Sequence, residues 1–110
     1  MNDELKNLVV SSLEELKAIN LAVIDLNGKA DFADFMVIAT GNSDRHLHAM
    51  ADKVFENAKK AGHSHIVIEG EDSKDWVLVD LGDVIVHLMR PETRDLYALE
   101  KLWEMRVPKI

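Results

Sequence analysis

The stretch Trp76-Val77-Leu78-Val79-Asp80-Leu81-Gly82-Asp83-Val84-Ile85-Val86-His87-Leu88-Met89 carries two apolar runs joined across Leu81-Gly82, and its alternation predicts a β-hairpin. Side chains in a strand point to opposite faces with a period of two. A turn centred on Leu81-Gly82 sets Asp80 opposite Asp83, Leu78 opposite Ile85 and Trp76 opposite His87. One face is then the aliphatic set Val77, Val79, Val84, Val86 and Leu88, which belongs against helices. The other carries Trp76, Leu78, Asp80, Asp83, Ile85, His87 and Met89, apolar in the middle and acidic at the turn. Such a face reads as a docking surface unless the protein's own helices cover it. A two-residue turn needs a positive φ that Leu81 resists, so a three-residue turn with a bulge at Gly82 is the alternative register. It would put Trp76, Leu78 and Asp80 on the face of Val84, Val86 and Leu88.

Around this hairpin the chain reads as alternating helices and strands. A first helix is expected over about Asp3 to Ala18, with Asn2 as its cap and Leu5, Leu8, Val9, Leu13 and Leu16 on one stripe. Leu21–Leu26 reads as a strand, with a turn at Asn27-Gly28-Lys29. Phe35–Thr40 is apolar at nearly every position, which predicts a central strand covered on both faces. After the break at Gly41-Asn42, Ser43 caps a second helix to about Ala61, with the stripe Leu47, Met50, Ala51, Val54, Phe55 and Ala58, and Gly62 stops it. His65–Glu69 is a third strand before the hairpin. Pro91 opens a last helix with Leu96, Leu99 and Trp103 as its core stripe and Tyr97, Glu100 and Glu104 on the adjoining face. The order predicts an α/β fold, a mixed five-stranded sheet with three helices in one domain over residues 1–110. Three helices are few for two sheet faces.

Composition narrows the function. The chain has 110 residues, 20 acidic against 13 basic, a formal charge of −7 and no cysteine. The charge opposes binding to a phosphate backbone, so little or no direct nucleic-acid contact is expected, and a basic protein surface is the natural partner. Lack of cysteine removes disulfides, a thiolate nucleophile and Cys-ligated zinc. No apolar or Arg-rich leader opens the sequence, which points to a cytoplasmic protein with no membrane association.

Catalytic constellations are weak. Thr40-Gly41-Asn42-Ser43-Asp44-Arg45 places a Gly turn at a helix N-terminus, where amide donors and the helix dipole can hold a phosphate. It is similar to the Gly-Ser turn of nucleotidyltransferases, but those enzymes also need paired carboxylates two residues apart on a neighbouring strand to hold two metals. Asp80 and Asp83 are three apart across a Gly turn, and Asp31 and Asp34 are three apart in a loop. An ordinary Ser43 cap is therefore the plain reading, with a nucleotidyltransferase-like enzyme acting at Gly41–Ser43 as the alternative. His46 and His48 point apart on a helix, and His63 and His65 make a weak pair. On its residues alone, His87 reads as a half-buried imidazole with a hydrogen-bond partner. Met50, Met89 and Met105 read as core or interface fillers. No metal or cofactor is expected.

Four segments in order, Asp34–His46, Glu69-Gly70, Trp76–His87 and Arg94–Trp103, resemble the ribosomal silencing factor (Iojap-like) family over nearly the whole chain. The resemblance implies a nucleotidyltransferase-like fold without enzymatic activity. It also implies a translational repressor that binds the large ribosomal subunit through its fourteenth protein and blocks joining of the small subunit when nutrients are scarce. The family's docking surface corresponds here to Trp76, Asp80, His87, Met89, Tyr97 and Glu100, and Leu78 joins them as an apolar anchor beside Trp76 and Met89. Self-association of the free protein through the same face is the other binding option.

Overall fold

The computed structural model describes residues 3–97 apart from Lys29, and of Tyr97 the backbone only. The expectations for Asn2, Leu99, Glu100, Trp103, Glu104 and Met105 lie outside the described residues. Three helices, α1 (Asp3–Glu15), α2 (Asp44–Lys60) and α3 (Pro91–Tyr97), accompany five strands: β1 (Ile19–Asp25), β2 (Phe35–Thr40), β3 (Val67–Glu69), β4 (Trp76–Asp80) and β5 (Val84–Met89). The strands form one sheet in the order β1-β2-β5-β4-β3. Only β2 and β5 run parallel; the other neighbours are antiparallel. The α/β class and the mixed five-stranded sheet are as the sequence reads.

The long helices end by backbone chemistry visible in the chain. Ser43 is the N-cap of α2, its hydroxyl accepting from the His46 amide. At the far end Gly62 has φ +97°, and the amides of Gly62 and His63 return to the carbonyls of Lys59 and Ala58. The first helix closes the same way with a residue less suited to it. Lys17 takes φ +59°, with Lys17 and Ala18 amides on the carbonyls of Glu14 and Leu13, so α1 stops at Glu15, short of the expected Ala18. Inside, Ser12 donates to the Leu8 carbonyl at 2.7 Å and accepts from Asn57 Nδ2 at 2.8 Å, joining α1 to α2.

Both long helices pack on one face of the sheet. Leu5, Val9 and Leu13 from α1 and Leu47, Met50, Ala51, Val54 and Ala58 from α2 meet Val37, Val77, Val79, Val84, Val86 and Leu88. This is the aliphatic face read from the hairpin. Phe55 stands at the margin of its stripe, 36% exposed, with Lys59 Nζ 5.8 Å from its ring centroid.

The second face departs from expectation. Leu26, Ala30 and Ala33, from the segment between β1 and β2, fold over Ile24, Met36, Ile38 and Met89 and make a second, smaller core. Backbone bonds hold the segment down: Leu26 N to Asp34 O at 2.9 Å, and Asp34 N and Phe35 N to Asp83 O at 2.8 and 3.1 Å. Every residue of β2 is consequently buried, as its unbroken apolar run requires.

The hairpin register differs by two residues from the first expectation. Asp80 lies opposite Ile85, Leu78 opposite His87 and Trp76 opposite Met89. The turn is longer than two residues: Leu81 N bonds Val84 O, Gly82 takes φ +86°, and Asp80 Oδ1 accepts the Gly82 amide at 2.8 Å. Positive φ thus falls on Gly82 and Leu81 avoids it. A shift of two preserves both faces, whereas the one-residue bulge would have exchanged them.

In α3 the expected core position Leu96 is 77% exposed, and the residue turned inward is Arg94. Two positions on a helix are about 200° apart, so Arg94 inside places Leu96 outside. The Arg94 guanidinium donates through Nη1 to the Asn20 carbonyl and, at 2.9 Å, to Thr40 Oγ1. Asn20, at φ +49°, occupies the irregularity in β1 between Ile19 and Ala22.

Candidate docking face

Strand pairing fixes which residues share the second face with Trp76. Directly opposed residues point the same way, so three rows cross the sheet from its free edge: Val67-Asp80-Ile85, Glu69-Leu78-His87 and Trp76-Met89. Exposure falls along them toward the centre. Val67 is 53% exposed, Leu78 and Trp76 are half-buried, His87 is 8% exposed and Met89 is fully buried. The 26–34 segment covers the β1-β2-β5 side and leaves the β4-β3 side open. The bare area is therefore narrower than the whole face and lies at one edge. An open cavity of about 260 Å³ sits there, lined by Glu69, Gly70, Trp76 and Leu78.

Local chemistry shapes this edge. Gly70 has φ +81°, and a Cβ there would stand 2.5 Å from the Trp76 carbonyl oxygen, so only glycine lets the two backbones pass so closely. Ser73 Oγ accepts from the amides of Asp75 and Trp76 at 3.1 Å, setting the entry to β4. The Trp76 indole donates Nε1–H to His87 Nδ1 at 3.0 Å, with ring centroids 5.7 Å apart and planes tilted by 52°. Burial holds the His87 imidazole well below its ordinary range, with a pKa of about 4, so at neutral pH it is uncharged and its Nδ1 accepts.

Set against this geometry, the sequence-derived docking set divides. Trp76, Leu78 and Asp80 lie together on the open edge. His87 and Met89 do not reach it: both are turned under the face, His87 as the acceptor for Trp76 and Met89 as part of the second core. The reason is the segment over the central strands, which closes the face at β5. The Tyr97 side chain and Glu100 lie outside the described residues. Val67 and Glu69 were absent from the sequence-derived docking set, because their membership follows only from the pairing of β3 with β4.

The turn considered for phosphate is occupied by the protein itself. Asn42 N donates to His46 Nδ1 at 3.1 Å, His46 N donates to Ser43 Oγ, and His46 Nε2 is 2.7 Å from the Leu16 carbonyl. The histidine thus uses both ring nitrogens to bind its helix start to the end of α1. At Gly41 an added Cβ would lie 2.7 Å from Leu47 Cδ2, so the turn sits hard on its own helix. A cavity of about 360 Å³ between Ile19, Asn20, Thr40, Pro91, Arg94 and Asp95 has its cation engaged with Asn20 and Thr40. Among the described residues no three His, Cys, Asp or Glu are grouped to hold a metal, and no helix is long and apolar enough to cross a membrane.

The family model described as ribosomal silencing factor during starvation matches residues 2–110. The chain belongs to the ribosomal silencing factor family. It is 48% identical over 99 residues to "Ribosomal silencing factor RsfS" of Zymomonas mobilis, covering 90% of this chain and 74% of that protein. The protein of the same name from Haemophilus influenzae is 41% identical, covering 90% of this chain and 97% of that one. The mouse "Mitochondrial assembly of ribosomal large subunit protein 1" is 41% identical over 91% of this chain and 45% of its own length. A crystal structure of a Chromobacterium violaceum protein superposes with a TM-score of 0.90 at 39% identity, covering 94% of this chain and 87% of that one. These bacterial relatives carry the name of silencing factors and not of enzymes.

Proposed function

We propose that this protein is a translational repressor that docks on the large ribosomal subunit through its fourteenth protein and keeps the small subunit from joining, above all under nutrient limitation. The observation that carries the reading is the open edge of β3 and β4 in a member of this family: Val67, Leu78 and Trp76 offer desolvatable apolar area, and Glu69 and Asp80 flank it with carboxylates. Charged groups at such a rim set orientation and approach to a basic ribosomal protein. Tyr97 and Glu100 extend the contact. Repression is exclusion of a large body from an occupied surface, so it needs no bond-making residue, cofactor or metal, and the protein acts in the cytoplasm without direct nucleic-acid contact.

The test is co-sedimentation with separated ribosomal subunits. The protein is expected to pellet with the large subunit and not the small one. Trp76→Ala and Tyr97→Ala each weaken that binding by about 2 kcal/mol with the fold retained. Parent-like pelleting by both variants would place the contact elsewhere.

A further inference from the structure

We infer that His87 is a positioning residue for docking: from beneath the face it accepts the Trp76 indole N–H and so fixes the ring in the orientation that a partner meets. The inference rests on the docking reading and adds to it. Trp76 is half-buried at the open edge, whereas His87 lies under it at 8% exposure, one row away on the adjacent strand. Their bond, Nε1 to Nδ1 at 3.0 Å, runs on the diagonal between the strands, with the ring planes tilted and not stacked. His87 stands where the run Val84–Met89 otherwise holds only aliphatic or thioether side chains. A larger apolar residue there would extend the second core but would take away the acceptor that His87 gives the indole.

The consequence follows from what docking does to water. An exposed indole N–H is satisfied by solvent, and a partner covering the ring removes that solvent. With His87 as acceptor the N–H is satisfied before and after docking, so no partner atom has to find it. The same bond removes rotational freedom from Trp76 before contact, which lowers the cost of ordering on association.

The experiment compares binding of purified large ribosomal subunits by the full-length parent, Trp76→Ala, Trp76→Phe, His87→Leu, His87→Asn and the Trp76→Phe/His87→Leu double variant. His87→Leu is expected to bind about tenfold more weakly, the loss of one well-placed hydrogen bond. His87→Asn, whose Oδ1 can take the place of Nδ1, restores binding to within about threefold. In the Trp76→Phe background, which has no indole donor, His87→Leu changes affinity by less than about twofold. An equal loss in both backgrounds means His87 only fills the core and overturns the inference, as does parent-like binding by His87→Leu alone. If Trp76→Ala itself binds like the parent, the docking reading falls and the inference with it. Should His87→Leu fail to fold, indole exchange decides. The Trp76 indole proton, recognised by its loss in Trp76→Phe, must exchange slowly with solvent in the parent and in His87→Asn; fast exchange in the parent overturns the inference.

Discussion

At the scale of single residues, His87 links the chemistry of the face to the stability of the fold. Its pKa is pushed down to about 4 by burial, while in the unfolded chain it titrates near 6.5. Between those values the unfolded state takes up a proton that the folded state refuses, so stability must rise with pH across that window. The contribution is complete above about 6.5 and is lost as the pH falls toward 4, on the order of 3 kcal/mol in full. Urea unfolding of the parent and of His87→Asn at pH 7 and pH 5 measures it. The parent is expected to lose more stability than the variant on acidification, and equal losses would deny the buried neutral state. Asp80 is likewise bound into its surroundings, since one carboxylate oxygen accepts the Gly82 amide and shapes the turn. Any test of its charge therefore has to spare the hydrogen bond, which Asp80→Asn does.

At the scale of elements, the two long helices end by the same hydrogen-bond pattern with different residues in the left-handed position. Gly62 adopts it freely, whereas Lys17 at φ +59° pays a steric cost of about 1 kcal/mol. Lys17→Gly is expected to raise stability by about 0.5 to 1 kcal/mol in chemical unfolding, and a destabilised variant would contradict the strain. The opposite holds at Gly70, where an added methyl meets the Trp76 carbonyl. Gly70→Ala should destabilise by about 2 kcal/mol or more and weaken docking as well, because backbone, not a yielding side chain, opposes it. These elements were unequally legible in the sequence. The unbroken run Phe35–Thr40 and the stripe Leu47 to Ala58 state their burial outright. The hairpin states its faces through the two-residue period, but not its register, which depended on a turn placing positive φ on Gly82. Leu26, Ala30 and Ala33 fall at i, i+4 and i+7, but Asn27 and Gly28 between them read as a turn, so nothing local announced that their segment would cover half a sheet face. The inward turn of Arg94 was equally hidden, because its acceptors, the Asn20 carbonyl and the Thr40 hydroxyl, come from distant strands.

At the scale of the whole molecule, the sheet has one face sealed by α1 and α2 and another sealed only as far as β5. On the proposed function, docking would be confined to the edge with Val67, Leu78 and Trp76, and the net charge of −7 would direct it toward a cationic surface. Glu69→Gln combined with Asp80→Asn should slow association with large subunits about three- to tenfold at low salt, with little change in the unfolding midpoint. The difference should shrink above about 0.5 M salt, where screening acts within a few ångströms. Stopped-flow association rates at two ionic strengths check this, and an unchanged rate at low salt would remove the electrostatic part of the account. The most direct measurement is hydroxyl-radical footprinting of the protein alone, with small subunits and with large subunits. The account predicts that large subunits alone suppress oxidation of Trp76 and Leu78, while Phe55, at the margin of α2 on the opposite face of the sheet, reacts as in the free protein. Protection of Phe55 with Trp76 left reactive would contradict it.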